Sequence, residues 1–153
     1  MPLLLVRHAV ALRRHDWSKP DHRRPLTPKG YAQAESLVEL LRPHGVTRIL
    51  SSPFVRCVET VEPLALRLGL PLEPRDDLAE GAGTLAAARL SEAVEEGATV
   101  VVCSHGDVIP ALLEILLASE AIGADGLRCA KGSTWVIERH AASATYLPPP
   151  DGP

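Results

Sequence analysis

The chain has 153 residues, 46% of them hydrophobic, and a formal net charge of −3 at pH 7. That length supports one domain with a substantial core and excludes two ordinary ones. The charge balance excludes the broad basic field that neutralises a nucleic-acid backbone, whereas the local cluster Arg13, Arg14, Lys19, Arg23 and Arg24 suits a small anionic ligand.

The apolar run Leu3–Val6 predicts a first strand, and it closes on the dipeptide Arg7-His8. A polar, cationic connection from Ala9 to Pro25 follows, longer than a compact domain normally needs, which marks it as functional. Thr27 reads as a helix N-cap with Pro28 at the first helical position. Ala34, Leu37, Val38 and Leu41 then recur at helical spacing up to Pro43 and Gly45. Arg48–Ser51 predicts a second strand, and Ser52-Pro53 repeats the cap-plus-proline signal, opening a helix with Arg56 in its first turn. Pro63 predicts a kink or a restart of that helix near Glu62.

Further along, Leu70–Glu73 predicts a short strand, Thr84–Glu95 an alanine-rich helix, and Thr99–Ser104 a central strand. A helix from Val108 to Ala118 and a last strand over Ser133–Glu138 complete the domain, 1–146, before a loose proline-rich tail over 147–153. Strands alternating with helices call for a mostly parallel sheet covered on both faces, a three-layer α/β/α sandwich. Cys57, Cys103 and Cys129 are odd in number and lack metal-ligand spacing, the usage of reduced, buried thiols in a cytoplasmic protein. No apolar stretch approaches the roughly 18 residues of a membrane-spanning helix, and no signal-peptide pattern opens the chain, so no membrane association is expected.

In such sheets ligands sit beyond the carboxyl ends of the strands. Arg7 and His8 end the first strand, Arg56 follows the second, and Ser104-His105-Gly106 ends the central one at a helix N-terminus, where free amides favour an anion. Arginine forks grip phosphate oxygens and stay protonated. A neutral His8 would attack phosphorus and form a phosphohistidine, with Arg7, Arg56 and a protonated His105 stabilising the equatorial oxygens. Glu80, in the loop after the third strand, is the best-placed proton donor; Asp107 is the second choice, though it fits a helix cap better. The cationic stretch from Arg13 to Arg24 reads as a rim that recruits anionic substrate, with Trp17 stacking on a base or closing over the pocket, against the alternative of a solvated face with one anchoring aromatic. His15, His22, His44 and His140 lack metal spacing, and the chemistry calls for neither a metal nor an organic cofactor.

The motifs Arg7-His8-Ala9, Ser51 to Thr60 (S-S-P-x-x-R-x-x-x-T), Ser104 to Ile109 (S-H-G-x-V-I) and Pro25 to Ala34 (P-L-T-x-x-G-x-x-Q-A) together resemble the histidine phosphatase superfamily, also called the phosphoglycerate-mutase-like fold. The resemblance runs from about Leu3 to Arg139. It implies a phosphate pocket of Arg7, His8, Arg56 and His105, with His8 as the nucleophile. Ala9 and the short length look like the small phosphohistidine phosphatases. Arg56-Cys57-x-x-Thr60-x-Glu62-Pro63-Leu64 and Lys131 to Val136 look more like the histidine-phosphatase domain behind a Nudix domain in actinobacterial nucleotide-sanitising hydrolases, although the chain carries no Nudix half. The function so implied is hydrolysis of a phosphomonoester, a nucleotide or another small metabolite, without metal. The alternatives are a protein phosphohistidine phosphatase acting on a phosphorelay protein and a non-catalytic phospho-ligand binder.

Overall fold

The computed structural model describes residues 2–83, 97–117, 126–138 and 143–150. Six strands form one sheet: β1 (Pro2–Arg7), β2 (Arg48–Ser51), β3 (Leu72–Pro74), β4 (Val100–Ser104), β5 (Thr134–Glu138) and β6 (Ser143–Leu147), in the order β3-β2-β4-β1-β5-β6. β3, β2, β4 and β1 run parallel, while β5 and β6 add an antiparallel edge. Three helices are described: α1 (Pro28–Leu41), α2 (Val55–Leu68) and α3 (Val108–Leu116). None of the described helices is long and apolar enough to cross a membrane.

The two faces of the sheet carry separate cores. Leu3, Leu5, Val100 and Val102 point to one face, where Ile109, Leu112 and Leu113 of α3 cover them. Leu4, Val6, Val101 and Cys103 point to the other, under Leu37 and Leu41 of α1 and Cys57, Val61 and Leu64 of α2. Burial on both faces is why these strands read as unbroken apolar runs with no alternation.

Several boundaries differ from the sequence expectation. Thr27 does cap α1, its Oγ1 accepting from the Gly30 N–H at 3.1 Å. The equivalent signal at Ser52-Pro53 does not open α2: the helix starts at Val55 with Phe54 at the cap position, and Ser52 is drawn into the site described below. α2 runs through Pro63 without a restart. Proline in a helix costs about 3 kcal/mol, and the buried flanking side chains Val61, Leu64 and Ala65 offset it, each large one contributing roughly 1.5–3 kcal/mol.

β3 lies at Leu72–Pro74, two residues later at its start than expected. α3 ends at Leu116, short of Ala118, which lies outside the described residues, as does the helix expected over 84–95. β6 was not anticipated: its Ser143–Leu147 run is short and only partly buried, and Leu147, expected to begin the tail, pairs with Thr134. The 9–25 connection is a closed loop. An Ala11–Leu26 bridge and the Leu12 N–H to Pro25 carbonyl bond at 3.0 Å pin its base, and two short 3-10 turns, Arg14–Asp16 and Asp21–Arg23, shape its tip.

Candidate active site

Strand register assembles the site. β1 and β4 are parallel neighbours with Arg7 opposite Ser104, so the next residues, His8 and His105, emerge side by side with ring centroids 5.4 Å apart. β2 flanks β4 on the other side with Ser51 opposite Cys103, which delivers Ser52 to His105: Ser52 Oγ lies 2.8 Å from His105 Nε2. α2 begins just beyond, and its first turn carries Arg56, buried at 1% exposure. The four side chains Arg7, His8, Arg56 and His105 are thus together at the carboxyl edge of the sheet.

Backbone carbonyls hold Arg7, His8 and Arg56, and the Ser52 hydroxyl holds His105. Arg7 Nη1 donates to the Cys129 carbonyl at 2.6 Å, and its guanidinium lies against Gly106, where an added Cβ would stand 2.8 Å from Cζ. His8 Nδ1 lies 2.8 Å from the Ala9 carbonyl. A carbonyl only accepts, so Nδ1 carries the proton and the neutral ring keeps its lone pair on Nε2. Burial pushes the His8 pKa down to about 3; the Ala9 hydrogen bond raises it, and the charges of His105, Arg56 and Arg7 lower it further. Arg56 donates through Nη1 to the Asp21 carbonyl at 3.0 Å, and through Nη2 to Asp21 Oδ2 at 3.2 Å and Glu80 Oε2 at 3.1 Å. Partial burial raises the Asp21 carboxyl, but the Arg24 hydrogen bond and the charges of Arg56, Arg24 and Arg14 hold it below the usual carboxylate range. Thr60 ties the parts together, donating to the Arg56 carbonyl at 2.6 Å and accepting from the Ala9 N–H at 2.9 Å.

Among the described residues, the buried side-chain nitrogens without a hydrogen-bond partner are Arg7 Nε, Arg56 Nε and His105 Nδ1. All three belong to this quartet. Buried polar atoms are otherwise almost always paired, so this cluster calls for oxygen atoms from a ligand. Beside it opens a cavity of about 290 Å³ lined by Arg7, His8, Leu12, Arg13, Arg14, Arg24, Arg56, Glu80 and Lys131. A larger groove of about 590 Å³ between α2 and β3 is mainly apolar, with Glu62 its one titratable side chain, and has no comparable chemistry.

The remaining candidates divide. Arg13 lines the cavity, and Glu80 does too, with Oε1 accepting from Arg14 at 2.8 Å and Oε2 from Arg56. Trp17 does not: its Nε1 donates to the Pro20 carbonyl at 3.0 Å and Lys19 sits over its ring, so the loop's own packing, not the cavity, holds it. Asp107 occupies the cap position of α3 but makes no cap bond; its Oδ2 accepts from the Gly81 N–H at 2.8 Å and so anchors the turn that carries Glu80. Sequence reasoning missed Asp21, Ser52 and Lys131 as site residues. Lys131 lay beside a glycine turn, but nothing local distinguishes Asp21 from a solvated loop acid.

Comparison with known proteins places the chain in a family. The family model of the histidine phosphatase superfamily (branch 1) matches residues 3–95. The chain is 36% identical over 156 aligned residues to an 8-oxo-(d)GTP phosphatase of Mycolicibacterium smegmatis, covering 97% of this chain and 48% of that protein. It therefore spans about half the length of that relative. Among solved structures, a protein assigned as the phosphohistidine phosphatase SixA of Agrobacterium tumefaciens superposes with a TM-score of 0.83 at 24% identity, covering 97% of this chain and 98% of that one. The protein histidine phosphatase SixA complexed with tungstate gives 0.74 at 24% identity, with 96% and 94% covered. These likenesses show the fold: a mixed α/β sandwich of the phosphoglycerate-mutase-like kind. The chain belongs to the histidine phosphatase superfamily (branch 1).

Proposed function

We propose that the chain hydrolyses small phosphorylated compounds, nucleotides among them, through a phosphohistidine on His8. The carrying observation is the convergence of three unpartnered buried nitrogens, on Arg7, Arg56 and His105, beside a neutral imidazole. Phosphoryl oxygens would accept from these donors and from the other N–H groups of the two guanidiniums. His8 Nε2 attacks phosphorus, the bond to the leaving oxygen breaks, and water then attacks the phosphohistidine, returning the electron pair to Nε2 and releasing phosphate. The nucleotide reading is supported by the M. smegmatis relative.

Glu80 is the carboxylate assigned to protonating the leaving oxygen of an ester. It is engaged by Arg14 and Arg56, and a phosphoryl group that draws Arg56 onto its own oxygens would free the Oε2 side. Asp107, exposed and bonded to Gly81, serves that turn. The thiols of Cys57, Cys103 and Cys129 are all free, which suits a reducing cytoplasm.

The test is release of phosphate from para-nitrophenyl phosphate, with rapid acid-free quenching to trap phosphate on histidine and mass spectrometry to locate it. Label on His8, and a fall of about 10³-fold or more in kcat/KM for His8→Ala, is the expected result. Turnover retained by that variant, or label on another residue, would overturn the mechanism.

A further inference from the structure

We infer that Lys131 and Arg13, at the mouth of the same cavity, form a second anion subsite, so that the substrate is an organic diphosphate losing its terminal phosphoryl group. The inference rests on the phosphatase reading above and adds the substrate class. Its basis is charge. Arg7, Arg13, Arg14, Arg24, Arg56 and Lys131 line the cavity against one carboxylate, Glu80, while Asp21 stands behind the wall on Arg24 and Arg56. A single phosphoryl group adds roughly two negative charges, which Arg7 and Arg56 meet from the base. Arg14 is engaged with Glu80 at 2.8 Å, and Arg24 with Asp21 at 2.9 Å and with the Leu12 carbonyl. Lys131 and Arg13 are left over: among the described residues neither has a carboxylate partner.

Lys131 is built into the site by its neighbours in the chain. The Cys129 carbonyl holds Arg7 Nη1, the Gly132 N–H donates to the carbonyls of Arg7 and His8 at 3.1 and 3.0 Å, and the Ser133 carbonyl accepts from the Arg7 N–H at 3.0 Å. The backbone around Lys131 is therefore fixed on the residues that would grip the first phosphoryl group. Partial burial, and then the charges of Arg7, Arg24, Arg56 and Arg14, hold its ammonium below the ordinary lysine range. An ammonium that shares a cavity with five guanidinium groups and one carboxylate already engaged by arginines gains most from an added anion. Arg13 faces the same cavity from the long loop, at the start of the Arg14–Asp16 turn.

The chemistry fits a diphosphate. His8 Nε2 bonds to the terminal phosphorus, the bond from that phosphorus to the bridging oxygen breaks, and its electron pair leaves on the monophosphate product beside Lys131. Water then attacks the phosphohistidine, the P–N bond breaks with its pair returning to Nε2, and the surplus water proton passes to solvent. A phosphate leaving group departs as an anion and needs little protonation, which suits a Glu80 whose oxygens are both engaged by arginines.

Calorimetric titration with inorganic phosphate and inorganic pyrophosphate, together with phosphate release from ADP and AMP, tests this. The wild type is expected to favour pyrophosphate in binding and ADP in kcat/KM by about tenfold each, the scale of one charge-assisted hydrogen bond. Lys131→Met should bring both ratios toward one, and Lys131→Arg should restore them to within about threefold of wild type. Equal binding of the two anions by the wild type, or a Lys131→Met loss that falls on both members of each pair by the same factor, overturns the subsite. Turnover of AMP and para-nitrophenyl phosphate with no preference for ADP overturns the subsite alone. Pyrophosphate-selective binding without turnover of any substrate supports the subsite and overturns the phosphatase reading.

Discussion

The entry to α1 and the carboxyl edge of the sheet use polar side chains in opposite ways. At α1, side chains serve the backbone: Thr27 Oγ1 caps Gly30 N–H and donates to the Val10 carbonyl, Gln33 accepts from the Val10 N–H, and Glu59 accepts from the Leu26 N–H. At the strand ends, the backbone serves side chains: the carbonyls of Cys129, Ala9 and Asp21 hold Arg7, His8 and Arg56. The first region spends its hydrogen bonds on making a helix start. The second uses them to fix the site's side chains in one geometry, and leaves nitrogens on Arg7, Arg56 and His105 unpartnered. The same local signal, a hydroxyl residue before proline, fell on opposite sides of this divide, at Thr27-Pro28 and Ser52-Pro53.

The largest expected break in the comparison is Gly106→Ala. The new Cβ would meet Arg7 Cζ at 2.8 Å, so the guanidinium must move. A displacement on the order of 1 Å at such a site costs about 100-fold in rate, to be read as kcat/KM on para-nitrophenyl phosphate. The melting temperature should change far less, because Gly106 does not need a positive φ. A variant with wild-type kcat/KM would mean that Arg7's position is not critical.

Acidification comes next. The folded His8 pKa of about 3 lies below the ordinary 6.5, so both states are neutral above pH 6.5 and stability is indifferent there. As pH falls from about 6.5 toward about 3, the unfolded chain binds a proton that the folded one refuses, and stability is lost. From pH 7 to pH 5 the loss attributable to His8 is about 2 kcal/mol. Urea midpoints at the two pH values should drop more for wild type than for His8→Asn; an identical drop would remove the buried neutral imidazole from the account.

Ser52→Ala and Thr27→Ala sharpen the contrast between the two hydroxyls. Ser52→Ala strips His105 Nε2 of its hydroxyl partner, with an expected cost of about 1–2 kcal/mol in stability and a fall in kcat/KM of about tenfold. Thr27→Ala removes the cap and the hydrogen bond to the Val10 carbonyl, about 1–2 kcal/mol, and should leave kcat/KM within about twofold, on the scale of a surface change. If Thr27→Ala lowered kcat/KM as much as Ser52→Ala, the division between the two regions would fail.

How much was legible depended on whether a residue's partners lie near it in sequence. Thr27 caps a helix three residues away, so its role could be read locally. Ser52 carries the same signal, but its partner is 53 residues distant, and the contact with His105 overrides the local preference. Pro63 was overridden likewise, by the packing of Val61, Leu64 and Ala65. Trp17 was read as a stacking residue of the rim, but its indole bonds three residues ahead within its own loop, and Arg13, Arg14, Arg24 and Lys131 line the cavity without it. β6 went unread because its residues alternate weakly and pair only with the β5 edge.

By itself the sequence determined the layered α/β architecture, since apolar runs buried on both faces admit little else, and it marked Arg7, His8, Arg56 and His105 through motifs at strand ends. Only the tertiary structure decided which groups face them. The parallel register of β1, β2 and β4 sets His8, Ser52 and His105 side by side, and the folded-back loop brings Asp21 and Arg24 to Arg56. Such pairings depend on distance in space, which charge and hydropathy along a chain do not encode.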